Sequence, residues 1–148
     1  MPEVENSIEI AAPVETVFDV IANQPERMVD WWPPYELNER VTPAPTRVDS
    51  VSRYVYNMMG VKLKGEHKVM EMRENEFLRV QTISGIDSTF EFTFLPSDTG
   101  TNLDIRVVYT VPGGLIGKAL NKLAVEKKNE EDLNHGLQNL KQLIESGL

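Results

Sequence analysis

The C-terminal third of the chain sets the tightest limit on what it can fold into. From Leu115 to Glu145 there is no proline and only two glycines, Gly117 and Gly136. Ile116, Ala119, Leu120, Leu123, Leu133, Leu137, Leu140 and Ile144 recur with helical period. One helix of about 31 residues measures about 46 Å at 1.5 Å per residue. A compact chain of 148 residues has a radius of gyration of about 15 Å. The helix must therefore cross the whole molecule, packed against whatever the other residues build. Its middle turn, Glu126 to Asp132, holds no apolar residue, yet the stripe resumes in phase. Either this turn bulges into solvent or it faces a partly polar cavity, and the resumption of the stripe favours the cavity.

The other residues read mainly as strands. Val4, Asn6, Ile8 and Ile10 alternate with Glu3, Glu5, Ser7 and Glu9, the period of a strand with one buried face. Pro13 then stands where a first helical residue costs no hydrogen bond. Val14, Val17, Phe18 and Ile21 form a short amphipathic helix. A second short helix spans Gln24 to Asp30, and Trp31-Trp32-Pro33-Pro34 ends it, because prolines remove donors and disfavour helix before them. Six more strands are expected at Glu36–Thr42, Val48–Met58, Val61–Met72, Phe77–Ile83, Ser88–Leu95 and Asn102–Val111. Short turns such as Met59-Gly60, Glu74-Asn75 and Ser84-Gly85 separate most of them. Short connections imply antiparallel neighbours.

Composition narrows the function. The chain has no cysteine, which removes thiol catalysis, cysteine-ligated metal and disulfides. Net charge is −8, and residues 1–39 carry all of it, with nine acids against Arg27 alone. Without a basic stripe to neutralise phosphates, no nucleic-acid partner is expected. No apolar run approaches the length of a membrane helix, so no integral membrane segment is expected. No basic stretch followed by an apolar run opens the sequence, so a secretion signal is not expected and a cytoplasmic location is. One domain over 1–148 fits the length.

The order of strand, two short helices, six strands and a long final helix resembles the helix-grip fold of the START/Bet v 1-like (SRPBCC) superfamily. Ser7-Ile8-Glu9-Ile10-Ala11-Ala12-Pro13 through Val17-Phe18 resembles the opening strand and helix of that family. Trp31-Trp32-Pro33 is similar to its aromatic stop. Pro112-Gly113-Gly114-Leu115-Ile116-Gly117 and Leu137 to Glu145 are similar to the two ends of its last helix. The nearest branch is the polyketide cyclase/dehydrase and lipid-transport group. The resemblance implies an α+β fold, with a curved antiparallel sheet of about seven strands around the long helix and a deep cavity between them. It leaves the ligand open, because one fold hosts many functions.

Candidate site residues follow from that cavity. His67 lies on the otherwise apolar face Val61, Leu63, Gly65, Val69, suited to hydrogen-bonding a ligand oxygen or to acid–base work near neutral pH. It is the best catalytic candidate, against the alternative of a histidine satisfied within the core. On the preceding strand Arg53 and Asn57 share a face with Val51 and Val55, while Tyr54, Tyr56 and Met58 share the other; alternation fits either face inward. Phe90, Phe92, Leu123 and the methionines Met58, Met59, Met70 and Met72 are expected as apolar wall. Tyr54, Asn129 and Glu130 are expected as orienting polar groups. Trp31 or Trp32 is expected to cap the mouth, or one to pack while the other stays partly exposed. Gly113 to Ala119 grazes a phosphate-loop pattern but lacks its first glycine and its final hydroxyl, so it reads as a strand-to-helix corner. His135 has no third ligand near it, so no metal and no cofactor are expected. The expected function is binding or transport of a small hydrophobic or amphipathic ligand, such as a lipid, polyketide or isoprenoid-like molecule. The alternatives are a cyclase, dehydrase or hydrolase acting in the same cavity, or a cochaperone-like interaction module docking through its acidic N-terminal third. The oligomeric state is open between monomer and homodimer.

Overall fold

The computed structural model describes residues 2–110 and 122–147. Seven strands form one antiparallel sheet: β1 (Glu3–Ile10), β2 (Tyr35–Arg40), β3 (Val51–Met58), β4 (Val61–Arg73), β5 (Phe77–Ser84), β6 (Ser88–Ser97) and β7 (Gly100–Tyr109). Their spatial order is β1-β7-β6-β5-β4-β3-β2, so the first two strands occupy opposite edges. The segment joining those edges holds α1 (Val14–Phe18), which runs on into a π-helical turn (Asp19–Asn23). A 3₁₀ turn (Pro25–Arg27) and α2 (Met28–Trp31) follow. The long helix α3 is described over Lys122–Glu145 and packs on β1 and α2. This is the expected α+β helix-grip architecture, with a curled sheet and two short helices after the first strand. The corner at Pro112 to Gly117, with Ile116, Ala119 and Leu120, lies outside the described residues. No described helix is long and apolar enough to cross a membrane.

The period-two pattern produces the core directly. On β6 Phe90, Phe92 and Phe94 face inward, and on β7 Leu103, Ile105, Val107 and Tyr109 do so. Leu133, Leu137, Leu140 and Ile144 of α3 close over this layer. Each large apolar side chain so buried contributes about 2–3 kcal/mol. Gly136 lets α3 approach α2: a Cβ there would stand 3.3 Å from the carbonyl oxygen of Trp31. That same oxygen accepts a hydrogen bond from Asn139 Nδ2 at 3.1 Å.

Three register shifts interrupt the ladder, at Tyr35/Leu37, Glu66/His67 and Val69/Glu71, and two of them change which side chains face inward. A bulge between Tyr35 and Leu37 turns Tyr35 and Asn38 to the same inner side, although they are three residues apart. A second bulge between Val69 and Glu71 leaves Met70 unpaired and restores inward packing at Met72.

Candidate functional site

Two cavities open on the inner face of the sheet among the described residues. The larger, about 60 Å³, lies beneath the short helical segment. Ile21, Ala22, Pro25 and Met28 roof it, and Val69, Leu78, Val80, Phe90 and Phe92 form its apolar wall. The smaller, about 30 Å³, lies between the sheet and α3 and includes Trp32, Tyr56, Met58, Ser88, Tyr109 and Asn129. At about 15 Å³ per water, they have room for about four waters and two.

An aromatic partition separates them. Tyr35 and Phe90 line both cavities. Trp32 meets Tyr35 and Phe90 edge-on, at centroid distances of 5.8 and 5.5 Å. Trp32 also stacks on Trp31 at 5.4 Å, which buries both indoles. The expectation that one tryptophan stays partly exposed is therefore corrected. Trp31 lines neither described cavity, and Trp32 lines the smaller one.

His67 is 4% exposed and lines the larger cavity. Phe90 meets its edge at 5.4 Å, and the hydroxyl of Tyr35 lies 3.4 Å from its Nε2. Burial pushes its pKa down to about 3, because a charged imidazole would lose its hydration there. The ring is thus neutral across the physiological range, with one donor and one acceptor nitrogen. A neutral ring suits the hydrogen-bonding role expected of His67, and acid–base work would need a partner that raises its pKa. Burial likewise holds the phenols of Tyr35 and Tyr56 above their ordinary range. The aromatic wall therefore carries no charge.

The lining of the larger cavity also includes polar residues: Asn38, beneath Pro25 and Met28, and Arg40, Thr46, Ser50 and Ser52. Arg40 is already engaged, donating to the carbonyl of Asn23 at 2.5 Å and pairing with Glu26 at 3.8 Å. Ser50 Oγ accepts from the backbone N–H of Arg47 at 2.9 Å. Sequence patterning missed Asn38 and Thr46. Strict alternation separates Asn38 from Tyr35, and Thr46 sits in a loop that carries no periodic signal.

Other expected residues divide by position. Tyr54, Tyr56 and Met58 face inward, so the open choice on β3 resolves to the tyrosine face, while Arg53 faces outward and pairs with Glu39 at 3.5 Å. Tyr54 stands behind His67 rather than on a described cavity. Its hydroxyl donates to the carbonyl of Ser84 and accepts from the N–H of Ile86, both at 3.1 Å. Asn129 Oδ1 accepts from the hydroxyl of Tyr56 at 3.0 Å, at the smaller cavity. Three expected lining residues point elsewhere. Met70 is 43% exposed because it alternates with the inward His67 and Val69, and Met59 is exposed at the Met59-Gly60 turn. Leu123 is 76% exposed: the inner line of α3 runs through Val125, Asn129, Asp132 and Gly136, and Leu123 stands about 200° around the helix from Val125. Glu130 is exposed too, one residue past that line.

The comparisons with known proteins agree with this architecture. A protein from Thermus thermophilus is 24% identical, covers 99% of both chains and superposes with a TM-score of 0.82. The Zhui aromatase/cyclase of Streptomyces sp. R1128 is 18% identical over 97% of this chain and 93% of its own, at a TM-score of 0.74. A START superfamily protein from Mycobacterium smegmatis is 18% identical over 97% and 99%, at 0.73. These likenesses concern the fold. No curated protein sequence matches the chain. The family model for polyketide cyclase/dehydrase and lipid transport matches residues 1–145. On that match, the chain belongs to the polyketide cyclase/dehydrase and lipid-transport family.

Proposed function

We propose that this protein binds a small, largely apolar, uncharged molecule in the larger cavity, with His67 and Tyr35 as polar contacts on an otherwise apolar wall. The observation that carries this is a neutral, buried imidazole bordering a cavity walled by Val69, Leu78, Val80, Phe90 and Phe92. Apolar walls supply affinity, and one or two fixed polar groups supply orientation. The volume suits a compact ring or a short chain. A longer lipid or polyketide would have to swing Tyr35 or Phe90 aside and join the two cavities.

The test is organic extraction of the purified protein with mass spectrometry of the extract, together with titration by an apolar fluorescent dye. The expected result is a retained apolar compound or saturable dye binding, weakened in Val80→Trp, which fills the cavity. Absence of both would remove the proposal. Catalysis in the same cavity is a second reading, favoured by the Tyr35–His67 pair. It requires a bound molecule that raises the basicity of the imidazole. Unchanged turnover in His67→Ala on any substrate found would take that role from His67.

A further inference from the structure

We propose that Asn38 and Thr46, two unpaired polar residues of the larger cavity, select an uncharged molecule that bears a hydroxyl group, an alcohol or a phenol. This rests on the cavity-binding function proposed above and adds the chemical class of the ligand.

Asn38 is 4% exposed and Thr46 is 8% exposed. The Nδ2 of Asn38 donates to the carbonyl oxygen of Pro25 at 2.9 Å and lies 3.5 Å from the sulfur of Met28. A carbonyl oxygen can only accept, so the amide orientation is determined by its partner. The Oδ1 limb is left without a partner among the described residues, as is Thr46 Oγ1. Both residues border the cavity. Buried polar atoms are almost always paired, and an unpaired one points to a missing partner.

The atoms also state what that partner is. An amide oxygen only accepts, so the ligand must donate. A hydroxyl can donate to Asn38, and a hydroxyl can equally accept from Thr46. A carboxylate or phosphate offers no proton and would face a carbonyl dipole of the wrong sign. The cation beside it, Arg40, is committed to Asn23 and Glu26. His67 lies two strands over and two residues along from Asn38, about 12 Å between backbones. A ligand of one or two rings spans that distance with its hydroxyl at the Asn38 end and its body against Phe90.

Three probes of one shape separate the outcomes: 2-naphthol, 2-methoxynaphthalene and 2-naphthoate, titrated calorimetrically into the full chain at pH 7.5. The expected order is naphthol about tenfold tighter than the methyl ether, with naphthoate weakest, since tenfold corresponds to one neutral hydrogen bond. Asn38→Leu, close in shape, should abolish the preference for naphthol over the methyl ether. Thr46→Val should reduce the preference and covers the case in which Asn38→Leu does not fold. Equal binding of naphthol and ether to the wild-type chain would overturn this selection while leaving the cavity function standing. Tighter binding of naphthoate would do the same. Failure of all three probes to bind would overturn both.

Discussion

The imidazole of His67 lies flat against the phenol ring of Tyr54, 4.3 Å between centroids and 10° from parallel. The two residues are not direct cross-strand partners: Tyr54 pairs with Gly65, and His67 pairs with Ser52. The stack exists because Gly65 has no side chain. The tyrosine ring lies over that glycine, reaches the turn after β5, and presents its face to the histidine beside it. His67 is thereby held at the cavity by a neighbour that itself lines neither described cavity.

Placing a methyl group at Gly65 should therefore be costly. Its Cβ would fall inside contact distance of the Ser84 carbonyl oxygen and 2.8 Å from the hydroxyl of Tyr54. Backbone cannot yield there as a flexible side chain would. Gly65→Ala is expected to lose about 1–3 kcal/mol, read by urea denaturation, and to weaken dye binding by loosening the stack. An unchanged urea midpoint would contradict the packing described.

Acid should destabilise the protein through His67. Its folded pKa of about 3 lies below the ordinary 6.5 because of burial. Between those values the unfolded chain takes up a proton that the folded chain refuses, so stability falls as pH falls from about 6.5 toward 3. The slope approaches about 1.4 kcal/mol per pH unit for one proton. Asp104, raised to about 6 first by burial and then by Glu5, contributes equally to wild type and variant, so it cancels in their difference. His67→Phe preserves the ring stack and should show a shallower pH dependence in melts at pH 7 and pH 4.5. Identical slopes in the two proteins would show that His67 is not the group responsible.

On the helix side, Asn129 accepts the hydroxyl of Tyr56 at the smaller cavity. Removing that acceptor leaves a half-buried phenol unpaired, at a cost of about 1 kcal/mol. Asn129→Ala is expected to lower the urea midpoint accordingly. Pairing Asn129→Ala with Tyr56→Phe should recover part of the loss, because both polar partners are then gone. A fully additive double mutant would mean the two groups do not act on each other.

The outer face of the sheet carries a chain of alternating charge: Glu3, Arg106, Glu91, Arg79, Glu71 and Arg73, linked across β1, β7, β6, β5 and β4 at 2.5–3.1 Å. Glu91 joins its two halves, holding both Arg79 and Arg106. Glu91→Gln should lower the urea midpoint at low salt, and the difference should shrink in 1 M NaCl, where exposed pairs are screened. A deficit that does not change with salt would mean packing, not charge, is at work.

By itself the sequence determined the elements and their order. Strands with one wet face must alternate, so β1, β6 and β7 were legible residue by residue, down to Phe90, Phe92, Leu103 and Ile105. The paired tryptophans and prolines marked the end of the short helices, and the same patterns carried the family resemblance. His67 was legible as a polar residue on an apolar face. The tertiary structure alone decided the rest, because bulges and helix phase depend on contacts between segments distant in the chain. One bulge put Asn38 on the same inner side as Tyr35, another turned Met72 inward, and the line through Val125 and Asn129 left Leu123 in water. The charge state of His67 was likewise tertiary. An imidazole is neutral at pH 6 only when neighbouring strands and the short helices have stripped it of water, and nothing local to residue 67 specifies that.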